Sequence, residues 1–130
     1  MIVTRQHASL PAPPRMIDGS AHYEALAAPS APAQVEVLHV HFAAGSRTRW
    51  HTHPAGQLLI VTAGGGWVQS RGRAPQRLSA GDVVRIDAGE EHWHGAAATS
   101  SMSHLAIQRH DDRGGATALE TVADDDYPKE

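Results

Sequence analysis

The chain has 130 residues, enough for one domain with its own core but not for two. A formal net charge of -3 with 19% charged residues supplies no basic face for nucleic acid, so no nucleic-acid partner is expected. There is no cysteine, which excludes disulfides and thiolate metal sites, and no apolar stretch approaches the ~20 residues of a membrane span.

Residues 1–34 are expected to form an N-terminal arm with the first strand or strands. The opening 14 residues, ending in Leu10-Pro11-Ala12-Pro13-Pro14, read as an extended arm. They lack the apolar core of a secretory signal, so a cytoplasmic location is the default expectation. Ala21 to Ala28 is rich in helix formers but short, and Pro29 and Pro32 close it, which leaves helix and strand both open. Residues 35–112 carry the pattern of a barrel core. Val35 to Phe42 alternates, with Val35, Val37, His39 and His41 on one face and Leu38, Val40 and Phe42 on the other. Gly45-Ser46 turns the chain. Leu58 to Thr62 is an apolar run ending at Ala63-Gly64-Gly65-Gly66, which reads as a hairpin, with Trp67 to Ser70 as the return strand. Gly72 and Ala80-Gly81-Asp82 mark further turns, Val83 to Ile86 another strand, and Met102 to Gln108 the last clear one. Residues 113–130 read as a C-terminal tail, with Asp124-Asp125-Asp126 solvated and fraying. Short strands punctuated by glycine make the fold class all-β, a sandwich or barrel.

Ten histidines in a chain without cysteine point to imidazole ligation of a metal of borderline softness. Residues two apart in an extended chain point to the same side, so His51 and His53 share a face, and Gln57 has the same parity. His92 and His94 form a second such pair. Two pairs on neighbouring strands can supply three or four ligands to one ion.

The stretch from Gly45 to Gly64, with His51, His53 and Gln57 at fixed spacing, resembles the first cupin motif, G-x5-H-x-H-x3,4-E-x6-G. Gly81 to His92, with Gly89 between, resembles the second, G-x5-P-x-G-x2-H-x3-N. The resemblance implies a single-domain jelly-roll β-barrel with His51, His53, Gln57 and His92 around one divalent ion. Three positions depart from the motifs: Gln57 replaces glutamate, Asp87 replaces proline, and the trailing asparagine is missing. A neutral amide in place of a carboxylate leaves the full dipositive charge on the ion, which favours Lewis-acid behaviour and anion binding.

The run Arg47-Thr48 through Trp50-His51-Thr52-His53-Pro54 to Gly64, with His92-Trp93-His94-Gly95 and His104 to Gln108, is similar to the small bacterial cupins that act as manganese-dependent hydroxynitrile lyases. That resemblance implies manganese, with iron, nickel or zinc suited to the same donors, and a small-molecule substrate. It implies active-site roles for His94, His104 and Thr48 and a substrate pocket edged by Leu38, Val40 and Gln108. A homodimer is the habit of such proteins. The barrel frame turns His39 and His41 to the outer face or to a dimer interface, and leaves His7, His22 and His110 on the surface. Trp50, Trp67 and Trp93 read as packing residues, one of which could wall a pocket. Cyanohydrin cleavage, a cupin dioxygenase or isomerase reaction, and a non-enzymatic metal- or small-molecule-binding role all remain open at this level.

Overall fold

A computed structural model of the protein describes residues 1–111 and 114–130. The boundary expected between residues 112 and 113 lies outside the described residues. The described chain is all-β, as expected. Its strands are β1 (Ser9–Pro11), β2 (Ile17–Asp18), β3 (Ala21–Ala27), β4 (Val35–Phe42), β5 (Arg47–Thr48), β6 (His51–Thr52), β7 (Gln57–Ser70), β8 (Gln76–Ser79), β9 (Val83–Ile86), β10 (His92–Ala96), β11 (Met102–Arg109) and β12 (Thr117–Ala118). A 3-10 turn, Asp124–Asp126, follows.

The strands run in the order β1-β3-β4-β11-β7-β10-β5-β2, with β8 and β9 also on β7, and β6 between β10 and β12. The pairings between these strands are antiparallel, and the sheet folds over on itself into a jelly-roll barrel. The fold-over happens inside β7. Its first half pairs with β11 and β9, and its second half pairs with β10 and β8. The hairpin expected at Ala63 to Gly66 is therefore not there: one long strand passes through the glycines and changes sheets. Close approach is the reason. A Cβ on Gly64 would overlap the Ser101 carbonyl oxygen, and one on Gly66 would overlap that of Gly95. Only glycine lets the backbones touch at this corner.

Ala21 to Ala27 is a strand despite its helix formers. β1 covers one edge of it and β4 the other, and such pairing outweighs a weak local propensity. The arm is thus partly anchored, through Ser9–Pro11. The tail is anchored as well, contrary to the fraying expected of the aspartate run. Val122 and Tyr127 are buried against Trp50 and Trp93. Arg47 donates to the Val122 carbonyl at 2.9 Å and to Asp124 Oδ1 at 2.6 Å, and its guanidinium lies 4.4 Å above the Tyr127 ring. Trp50 and Trp93 belong to this outer cluster and not to a pocket wall.

Inside the barrel, Phe42, Val61, Val68, Leu78, Ala96 and Met102 form one buried cluster, and Leu59, Ile86 and Ala106 another. Burying each large apolar side chain contributes ~1.5–3 kcal/mol. The alternation of β4 resolves as the barrel frame requires: Leu38, Val40 and Phe42 face the interior cavity.

Candidate metal centre and cavity

β6 and β10 run side by side with His51 directly opposite His92. His53 follows β6 directly, and Gln57 opens β7 beyond the tight turn at Gly56. One ring nitrogen from each of His51, His53 and His92 falls in a group whose members all lie within 4.8 Å of one another, and all three residues are buried. His94, the other half of the second same-face pair, is outside this group.

Backbone carbonyls select the tautomers. His51 Nδ1–H donates to the Arg49 carbonyl at 2.9 Å, His53 Nδ1–H to that of Gly115 at 2.5 Å, and His92 Nδ1–H to that of Glu90 at 2.9 Å. Each ring then presents its Nε2 lone pair, the arrangement that orients metal-ligating imidazoles. Burial also keeps the rings neutral. It pushes His51 down to about 3 and His92 down to about 4, each helped by a neighbouring histidine, and it lowers His53.

Two features show that a cation fits this cluster. His53 Nε2 is buried without a hydrogen-bond partner among the described residues. Gln57 Oε1 lies 3.3 Å from His92 Nε2, and since Nδ1 holds the His92 proton, the two atoms are both acceptors. Facing lone pairs at that distance repel unless a positive charge lies between them.

The orientation of the Gln57 amide is fixed from outside. Gln57 Nε2 donates to Gln108 Oε1 at 2.9 Å, and Gln108 Nε2 donates to Glu36 Oε1. An ionised carboxylate only accepts, so Glu36 requires the NH2 end of Gln108. Gln108 then offers its carbonyl to the NH2 of Gln57, whose own carbonyl is left facing the histidines. His110 Nε2 lies 3.1 Å from the same Glu36 oxygen.

A second buried polar group stands beside the cluster. His104 Nε2 and His94 Nδ1 are 3.1 Å apart, and the backbone N–H of His94 donates to Thr48 Oγ1 at 3.2 Å. The other ring nitrogens, His104 Nδ1 and His94 Nε2, are buried with no partner among the described residues. Burial lowers His104 to about 4 and, together with the neighbouring His104, holds His94 well below its ordinary value. The pair is neutral at pH 7.

These groups line one cavity of about 390 Å³. Leu38, Val40, Phe42 and Ala106 wall it, with Thr48, His51, His53, Gln57, His94, His104 and Gln108 also on its lining. Every residue singled out in the sequence as ligand, active-site group or pocket wall reaches this space except His92, which adjoins it through Gln57. Sequence reasoning misses Glu36, Gly115 and His110. Glu36 has a signal: it shares the inward parity of Leu38 and Val40, where an acid needs a reason. His110, expected on the surface, lines the cavity next to Glu36. Gly115 contributes a carbonyl, which no residue type announces.

Comparison with known proteins gives the same architecture. Residues 38–108 match the model of the cupin domain. Over 96 residues the chain is 52% identical to the (R)-mandelonitrile lyase of Granulicella tundricola, covering 74% of this chain and 73% of that protein. Among solved structures, a cupin-like protein from Thermotoga maritima superposes with a TM-score of 0.86 at 36% identity, covering 90% of this chain and 89% of that one. A cupin 2 conserved barrel protein from Rhodopseudomonas palustris shares the fold alone, with a TM-score of 0.74 at 16% identity over 92% of this chain and 80% of the other. A domain match over more than half of the sequence, on a barrel with both histidine motifs in place, makes the chain a member of the cupin family.

Proposed function

We propose that this cupin is a metal-dependent hydroxynitrile lyase-like enzyme that cleaves and forms cyanohydrins of aromatic aldehydes. One observation carries the reading: a cluster of three neutral imidazoles and an amide oxygen shares an apolar-walled cavity with a separate, neutral histidine pair. The relative named (R)-mandelonitrile lyase, half identical over most of both chains, supports the choice of reaction.

In this proposal His51, His53, His92 and Gln57 hold a divalent ion, manganese on the similarity to that group of cupins. When bound, the ion supplies Lewis-acid stabilisation of negative charge on oxygen or on cyanide. The chain's own residues do the rest. Leu38, Val40, Phe42 and Ala106 take up the aryl group and exclude water. His104, neutral above about pH 4, takes the proton of the cyanohydrin hydroxyl as the carbon–carbon bond to cyanide breaks. The same proton goes to the departing cyanide, so aldehyde and hydrogen cyanide leave and the imidazole returns to its neutral form. His94 and Thr48 position His104: Thr48 accepts from the His94 backbone, and the His94 ring meets His104 Nε2. A homodimer and a cytoplasmic location belong to the same proposal.

The test is release of cyanide from mandelonitrile by the manganese-loaded protein, with and without a chelator. Release that stops on chelation and returns with metal supports the reading. Release that survives complete removal of metal defeats the assignment of the ion. No release with any divalent ion defeats the lyase reading, and oxygen uptake with catechol-like substrates then tests a dioxygenase.

A further inference from the structure

We propose that the outer face of β3 and β4 carries a second metal site, built from His22, Glu24 and His41, that takes a borderline divalent ion such as zinc. It stands apart from the barrel centre and does not rest on the lyase reading.

The strand register brings the donors together. His22 and His41 are directly opposite across the antiparallel pair, and Glu24 lies two residues along β3 on the same face. One ligand atom from each lies within 4.8 Å of the others. The face is the outer one, because the intervening Val40 and Phe42 line the interior cavity.

His41 is held ready for this role. Ser103, its cross-strand neighbour on β11, meets His41 Nδ1 at 2.7 Å through its hydroxyl, which turns Nε2 toward Glu24 Oε1 at 2.8 Å. A ring whose Nδ1 is engaged by a neighbouring oxygen presents Nε2 as the metal donor. The His22 ring stacks on His41 at 4.7 Å, which places a second imidazole over the same spot. Two imidazoles and one carboxylate form a donor set that zinc takes with further positions open to solvent. Tetrahedral ligands at ~2.0–2.1 Å stand roughly 3.3 Å apart, so the Glu24–His41 contact opens by about half an ångström to admit an ion. The ion takes the place of the proton that these two groups share. His39 stays out of the set, because its Nε2 is engaged by the Thr62 hydroxyl at 2.9 Å.

The experiment is a zinc chloride titration of the demetallated full chain by calorimetry, with the bound metal counted after gel filtration. The expected stoichiometry is two ions per chain. His53→Ala removes the barrel ion and leaves one; His22→Ala, at an exposed position, and the near-isosteric Glu24→Gln each weaken the other ion by at least ~10-fold while the barrel ion stays. Ser103→Ala weakens the outer ion by a similar factor with all three ligands intact. One ion in the wild type that is lost in His22→Ala but kept in His53→Ala upholds the outer site and removes the barrel reading. One ion that is indifferent to His22→Ala and Glu24→Gln overturns the outer site, as does a second ion that persists when both substitutions are combined.

Discussion

Reversing the polarity at residue 36 should disarm the proposed barrel metal centre through two intervening amides. Glu36 accepts from Gln108, Gln108 accepts from Gln57, and Gln57 is thereby left with its carbonyl facing His92 Nε2. Lysine at 36 only donates, so Glu36→Lys draws the carbonyl of Gln108 outward and sets two NH2 groups against each other. Gln57 and Gln108 are 7% and 6% exposed, too buried for water to repair that clash. Either both amides turn, which puts the NH2 of Gln57 toward the cation, or the 2.9 Å bond is lost and a buried amide goes unpaired. Each outcome costs ~1–3 kcal/mol, which is roughly a 5- to 150-fold loss of metal affinity. The added positive charge near the site acts in the same direction, so two companion variants separate the causes. Glu36→Gln removes charge but still accepts through its own carbonyl, and metal affinity should stay within ~3-fold of wild type. Glu36→Lys combined with Gln108→Glu carries the same net charge as Glu36→Gln and restores an acceptor beside Gln57, and affinity should recover. The assay is competition for manganese against a chelator of known affinity, with thermal melting as the control for folding. Wild-type affinity in a folded Glu36→Lys protein refutes the argument. Equal losses in Glu36→Gln and Glu36→Lys refute it too, because keeping an acceptor at residue 36 would then make no difference.

Gln57→Glu gives the ion an anionic oxygen, so metal retention should tighten and azide or cyanide affinity should drop, both read by calorimetry; unchanged anion affinity would remove the Lewis-acid argument. His104→Ala should keep the metal and lose ~10²–10⁴-fold in cyanide release, because a positioned proton carrier is gone while the ion remains; a loss under about tenfold would rule His104 out as that carrier. In the metal-free protein, His51, His92 and His104 have folded-state values lowered from 6.5 to about 3, about 4 and about 4. The unfolded chain therefore binds more protons below about pH 6.5, and the stability tied to their neutral forms is full above that pH and is lost as pH falls toward about 4. By about pH 5 the loss is roughly 2 kcal/mol per ring, so melting temperature should be level from about pH 8 to 7 and drop steeply from about 6.5 to 5. A flat profile down to about pH 5 would contradict the burial of neutral imidazoles.

The barrel and its histidines are legible in the sequence because both have a period. Alternation in β4 is enough to separate Leu38, Val40 and Phe42 from His39 and His41, and the His51–His53 spacing puts two rings on one side. The glycines of β7 mislead for a physical reason. A glycine run marks a place where side chains do not fit, and a tight turn is only one such place; a strand crossing from one sheet to another past Ser101 and Gly95 is a second. The aspartate tail misleads when its charge is weighed without Arg47, 77 positions away, whose guanidinium ties Asp124 down. What orients the proposed metal donors is the least legible of all. The Nδ1 protons of His51, His53 and His92 go to carbonyls of Arg49, Gly115 and Glu90, and a carbonyl is present at every residue of any sequence. The clustering of the proposed ligands is thus carried by side chains and can be read from spacing, whereas their orientation is carried by the folded backbone. Glu36 is the instructive exception. It orients Gln57 through a side chain, at an inward position where an acid has no packing role, so the same parity that reveals the pocket wall also reveals the group that aims the ligand.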